Sequence, residues 1–234
     1  EEMMITQYDA PAVEANGLLK MDFLGLRNLT FIQKMQEKVA QDYGHAIDIR
    51  AIDLEDKETL ALFAAGDTKG IFQFEAAGAI NLLKRIKPSR FEEVVATTSL
   101  NRPGASDYTE NFIRRKYGQE EVDLIDSSIA SILKSTYGIM LYQEQVMQIA
   151  QIFAGFTLGK ADLLRRAMSK KNTVEMQKME KDFLQGADQL GRDLKVAQNL
   201  FARMAKFAGY GFNRSHAYAY SALAFQMAYF KVHY

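Results

Sequence analysis

The sequence has no cysteine, which excludes a disulfide framework and a thiolate-held zinc alike. Its three histidines, His45, His216 and His233, are too scattered for a His-x-x-x-His metal motif. No signal peptide pattern and no long apolar span is present, so the expectation is a soluble, cytoplasmic chain that does not enter a membrane. Neither a strained serine elbow nor the paired carboxylates of a glycosidase stand out. Net charge is lacking too: 29 Lys and Arg balance 29 Asp and Glu, which by itself argues against a nucleic-acid surface.

That charge is unevenly divided. Residues 151–234 carry 13 Lys and Arg against 6 Asp and Glu, whereas residues 1–150 carry 16 against 23. The basic C-terminal part suits an anion, although solvated helices produce the same imbalance. With 234 residues, 48% of them hydrophobic, the chain can bury a core as one large domain or two small ones. It opens without methionine and stops within the apolar pattern SALAFQMAYFKVHY, as expected of a segment of something longer.

Hydrophobic periodicity predicts a mainly α fold with a few short strands. Asn28 is placed to cap a helix stopped by Gly44, Asp56 opens one closed by Gly66, and another runs over 76–86. Pro88 ends that helix and Ser89 is expected to cap the next, while Arg102-Pro103-Gly104 is a turn. Further helices fit 107–117, 127–135, 143–154, 160–169, 173–190, 193–207 and 215–231. GIFQFE (70–75) reads as a brief strand or a buried turn, and YGIMLY (137–142) as extended. The apolar run GLLKMDFLGLRNL (17–29) reads as a buried strand, since Gly17 and Gly25 counter a helix.

Four stretches carry candidate chemistry. The run 17–29 places Asp22 among Leu, Met and Phe, where an unpaired carboxylate is costly. Asp22 therefore needs either Lys20, on the same strand face two residues earlier, or a metal ion. In GKADLLRRAMSKK (159–171), Asp162 stands one helical turn before Arg165 and Arg166, and Arg166 one turn before Lys170, with Lys171 following. Arginine forks suit phosphate oxygens, but a solvated basic face has the same composition. The overlapping GFTLGKA (155–161) is no phosphate loop: only three residues separate its glycines, and Ala161 stands where a hydroxyl must hold magnesium.

AGYGFNRSHAYAY (208–220) sets Gly209 and Gly211 before a helix that Asn213 or Ser215 can cap. The free N–H groups of a helix start favour phosphate, Arg214 and His216 lie beside it, and Tyr210 and Phe212 can stack on a base or sugar. An ordinary interhelical turn with aromatic packing explains the stretch equally well. In YQEQ (142–145), Glu144 reads equally as a helix-start charge or as a catalyst. The Met- and aromatic-rich stripe of the last helix reads as core.

KMDFLGLRNLT, GIFQFE, LNRPG, YGIMLYQEQVMQIAQIFAGFTLGKADLLRRAMSKK and FAGYGFNRSHAYAYSALAFQMAYFKVHY together resemble the bacterial DNA polymerase III alpha subunits, the C-family replicative polymerases. The form DFLGL is similar to the type without an inserted exonuclease. The resemblance covers the chain in order. It implies that residues 1–27 end a nucleotidyltransferase-like palm and that 28–234 form most of a helical fingers domain. It further implies that Asp22 is the third of three catalytic, metal-holding aspartates, the other two lying in a D-x-D motif absent from this chain, and that Lys20 meets phosphate near them. The expected cofactor is Mg²⁺, one ion activating the primer 3′-hydroxyl and a second steadying the leaving pyrophosphate. Arg165, Arg166, Lys170 and Lys171 become triphosphate-side cations, Asn213, Ser215 and His216 lie near the incoming nucleotide, and Arg102 and Gln143 contact nucleotide or template. His216 is suited to excluding a 2′-hydroxyl. The implied partners are primer-template DNA, deoxynucleoside triphosphates and, through the parent chain, replisome subunits such as the sliding clamp. A non-enzymatic helical nucleic-acid-binding module, or a scaffold with a solvated basic face, are the competing readings; only the polymerase reading needs Lys20, Asp22 and the arginine pair together.

Overall fold

The computed structural model describes residues 3–21, 23, 25, 27–169, 173–207 and 211–234. Among these residues the chain is a succession of α-helices: α1 (Ala10–Ala15), α2 (Arg27–Tyr43), α3 (Lys57–Ala65), α4 (Ala77–Ile86), α5 (Phe91–Leu100), α6 (Thr109–Lys116), α7 (Ala130–Leu133), α8 (Gln143–Ala154), α9 (Leu158–Ser169), α10 (Thr173–Gln189), α11 (Leu194–Phe207) and α12 (Arg214–His233). The caps explain several boundaries. Asp56 accepts the N–H of Thr59 at 2.8 Å to start α3, and Gly66, at φ 68°, takes the left-handed conformation that ends it. Asn213 accepts the N–H of His216 at 2.7 Å to start α12.

Three expectations need correction, and one open reading is decided. Asn28 lies inside α2, and Ser89 does not cap α5; its N–H instead donates to Glu93 Oε2 at 2.8 Å. GIFQFE takes the second of its two readings, a buried turn, folded back by the Thr68 hydroxyl donating to the Phe74 carbonyl at 2.6 Å. The run 17–29 is not a buried strand where it is described. Leu18, Leu19, Met21 and Phe23 are exposed, and no strand is assigned to the described residues of this run. A strand is stabilised by a neighbour's backbone groups, and none is on offer among the described residues. Among the described residues the strand content is one isolated parallel bridge between Tyr142 and Phe212.

Two cores organise the helices. The first gathers Ile32, Phe63, Leu83, Ile86, Val94 and Phe225 from α2 to α5 and α12. There the Phe225 ring stacks on Phe63 at 5.8 Å and meets Phe91 edge-on at 5.5 Å. The second gathers Phe153, Leu164, Phe183, Leu200 and Met204 from α8 to α11. Gly186 of α10 makes that packing possible, because a Cβ there would lie 2.1 Å from the carbonyl oxygen of Ala154. α12 leaves the second group and inserts between α3 and α5 of the first. Its buried Ala217, Ser221, Ala224, Phe225, Ala228 and Phe230 make it core, as its stripe predicts.

A buried polar knot lies at the edge of the first core. Glu93 of α5 accepts from Lys116 Nζ at 2.5 Å, from the Tyr137 hydroxyl at 2.5 Å and from the Ser89 N–H at 2.8 Å. Arg90 adds a longer bond at 3.3 Å and donates on to the Ser135 carbonyl at 3.2 Å. Burial alone would raise the Glu93 carboxyl, but the Lys116 and Tyr137 bonds outweigh it and hold it below the usual range. Burial, with the nearby Glu93 carboxylate, pushes the Tyr137 hydroxyl up to about 12.

Candidate functional site

The site is built where two helices start side by side. The Phe212 N–H donates to the Leu141 carbonyl at 3.3 Å and the Gln143 N–H donates to the Phe212 carbonyl at 2.8 Å. This short parallel pairing brings the entrances of α8 and α12 into register. Gln145, one turn into α8, accepts the N–H groups of Leu141 and Tyr142 at 2.8 and 3.0 Å. Its amide group donates to the Thr136 hydroxyl at 2.8 Å and the Ile132 carbonyl at 3.2 Å, so this buried side chain is fully used.

Aromatic and cationic groups flank the junction. The Arg102 guanidinium lies over the Phe212 ring, 3.8 Å from its centroid. His216 stands edge-on to Phe212 at 5.7 Å and tilts against Tyr220 at 4.3 Å. Gln143 Nε2 reaches the Gly211 carbonyl at 3.4 Å. A polar cavity of about 610 Å³ opens beside α12, lined by Ser131, Ser135, Glu144, Gln148, Arg214 and Tyr218 among others.

The structure therefore brings Arg102, Gln143, Asn213, Ser215 and His216 into one neighbourhood. Arg165 and Arg166 are on α9, where one carboxylate holds both: Asp162 Oδ1 accepts from Arg165 Nε at 2.9 Å and Oδ2 from Arg166 Nε at 2.8 Å. The Arg165 bond first, then Arg166, hold the Asp162 carboxyl below its usual range. Two guanidinium charges against one carboxylate leave this turn net positive, and the Arg166 side chain is 63% exposed. A three-residue connection joins α8 to α9, and the two helices pack against each other. Lys20 is exposed in the non-helical N-terminal segment. Asp22, Lys170, Lys171, Gly209 and Tyr210 lie outside the described residues.

No three His, Asp or Glu side chains among the described residues converge as a metal ion would require. The described residues thus do not fit a magnesium site of their own, and no chemical step can be drawn through one. No described helix is long and apolar enough to cross a membrane.

The residue that sequence reasoning undervalued is Glu144. It accepts the Asn213 Nδ2 at 2.9 Å, the Arg214 N–H at 2.8 Å and, more loosely, the Ser215 N–H at 3.4 Å. Glu92 likewise takes Arg214 NH2 at 2.6 Å. The one local signal was an acidic residue in the first turn of α8; its partners are some 70 positions away.

Fold and site together define an all-helical domain with a cationic helix and a polar cavity at a paired helix start. The family model described as the bacterial DNA polymerase III alpha subunit finger domain matches residues 28–191. The chain belongs to that family. It is 80% identical over 234 residues to the DNA polymerase III subunit alpha of Streptococcus pyogenes, covering all of this chain and 23% of that protein. It is 48% identical over 235 residues to the subunit of the same name from Thermus aquaticus, covering 98% of this chain and 19% of the relative. The Halalkalibacterium halodurans subunit is 45% identical over 233 residues, covering 100% of this chain and 21% of that protein. The chain thus spans less than a quarter of the length of these relatives.

Proposed function

We propose that this chain supplies the fingers of a DNA-directed DNA polymerase, binding the incoming deoxynucleoside triphosphate and the template, and that it acts only within a larger parent in the bacterial cytoplasm. The observation that carries the reading is the full-length match to relatives named DNA polymerase III subunit alpha. In this reading, residues 1–27 close the palm and 28–234 are fingers. Arg165 and Arg166, steadied by Asp162, face the triphosphate together with Lys170 and Lys171. Asn213, Ser215 and His216 stand beside the sugar, with Arg102 and Gln143 toward base or template. The His216 ring, backed by Phe212 and Tyr220, is braced against tilting and is suited to refusing a 2′-hydroxyl. Lys20 meets phosphate near Asp22.

In the parent, Asp22 with two further aspartates would hold magnesium, which would supply activation of the primer hydroxyl and charge stabilisation for the leaving pyrophosphate. The partners are primer-template DNA and, through the parent, replisome subunits such as the sliding clamp. The test is made in the complete subunit: Asp22→Ala abolishes primer extension while DNA binding stays nearly intact. Normal turnover in that variant removes the metal role. The 234 residues alone extend no primer, and measurable extension by them contradicts the reading.

A non-enzymatic nucleic-acid-binding module is the alternative, favoured by the basic C-terminal third. Its affinity for DNA falls steeply with salt but ignores deoxynucleoside triphosphates.

A further inference from the structure

The free N–H groups at the start of α12 are the expected seat of a phosphate, yet a carboxylate from the chain already fills them. Both oxygens of Glu144 are engaged: Oε1 by Asn213 Nδ2 at 2.9 Å and the Ser215 N–H at 3.4 Å, Oε2 by the Arg214 N–H at 2.8 Å. Glu144 is itself in the first turn of α8. The Tyr142–Phe212 bridge points the two helix starts the same way, so two positive dipole ends lie next to each other. A negative group between them neutralises both. Glu144 does this while forming charge-assisted bonds that fix the rotation of the first turn of α12 against α8. That turn carries Ser215 and His216 and one wall of the cavity.

We infer that Glu144 is a positioning residue: its carboxylate locks the first turn of α12 onto α8, and so sets where Ser215 and His216 meet a nucleotide, while denying that helix start to phosphate. The consequence is that triphosphate oxygens are held by side chains, not by the α12 amides. The inference deepens the fingers reading and rests on it for its kinetic arm, but its structural arm stands alone.

The structural arm uses this chain. The Arg214 amide, read by NMR hydrogen exchange at pH 7, is protected from solvent deuterium in the wild type. In Glu144→Gln it exchanges at least about tenfold faster. Adding inorganic pyrophosphate at pH 7 leaves the Arg214 and Ser215 amide resonances unmoved in the wild type and shifts them in Glu144→Ala, where the seat is vacated. A wild-type Arg214 amide without protection, or wild-type amides that shift with pyrophosphate, overturn the inference without needing any variant to fold.

The kinetic arm uses the complete polymerase subunit. Glu144→Gln raises KM for the deoxynucleotide about tenfold or more, with a smaller change in kcat, because misplaced contacts weaken binding. A lowered thermal midpoint with KM unchanged shows a tie that only stabilises the fold, and overturns the positioning role. If the wild-type subunit itself shows no nucleotide-dependent synthesis, the fingers reading fails instead, and the amide exchange still decides the structural claim.

Discussion

Replacing Glu93 by glutamine removes one charge from the best-buried ion pair described. The side chain of Glu93 is 1% exposed and that of Lys116 8%, and their contact is 2.5 Å. Glutamine keeps one acceptor oxygen, which can serve the Tyr137 hydroxyl or the Ser89 N–H. Its amide group then faces Lys116, donor against donor, and leaves a buried ammonium without a counter-charge. Arg90 cannot help, being a cation itself, and its 3.3 Å bond on a 37%-exposed side chain is screened and worth little. Breaking a buried pair in this way costs about 3–5 kcal/mol. That is a large share of the roughly 5–15 kcal/mol that holds an ordinary domain together. Urea unfolding at 15 °C, followed by circular dichroism, reads the loss as a lower midpoint with an unchanged slope. The cycle is completed with Lys116→Met and the double variant, whose cost falls short of the summed single costs by about 1–3 kcal/mol. A single-variant cost under about 1 kcal/mol, or additive costs, refutes the account of the knot.

Other outcomes follow from the same geometry. The Glu93 carboxyl is held below its ordinary value of 4.5, so its contribution is complete above that pH and is lost as pH falls through the lower folded value. Thermal midpoints measured between pH 7 and 3 drop more in the wild type than in Glu93→Gln; parallel curves contradict this. Gly186→Ala drives a Cβ into the Ala154 carbonyl, whose backbone cannot yield, and costs about 1–3 kcal/mol. Gly159→Ala, in a helix with open space around it, stabilises by about 0.5–1 kcal/mol, so the two alanines differ in sign in denaturant melts. Phe225→Ala empties the centre of the first core and costs about 3–5 kcal/mol in the same assay. In the complete subunit, His216→Ala narrows the preference for dATP over ATP; unchanged discrimination removes the sugar role.

Helices were legible wherever their signals are local. Asp56 and Gly66 bound α3 as read, the apolar pattern of 143–154 is α8 to the residue, and Asn213 caps α12. Capping depends on side chains within three or four positions, so a single sequence records it. The run 17–29 was misread because its apolar content fits a strand, while a strand also needs a pairing partner that the segment does not encode. Glu93 has no local mark beyond its place in the first turn of α5, and only the fold brings Lys116 and Tyr137 to it from 23 and 44 positions away. Glu144 was equally opaque for the same reason. Of the residues singled out for chemistry, Arg102, Gln143, Asn213, Ser215 and His216 gather at one junction. Arg165 and Arg166 share the carboxylate that helical spacing assigned them.

The central proposal is that the α9 arginine pair receives a nucleotide triphosphate. The most direct measurement titrates this chain with a deoxynucleoside triphosphate and Mg²⁺, comparing the wild type with Arg165→Ala/Arg166→Ala at constant ionic strength. The account predicts saturable binding by the wild type that weakens at least about tenfold in the double variant, as the loss of two charge-assisted contacts requires. Equal affinity in both proteins, or affinity for DNA alone, contradicts it.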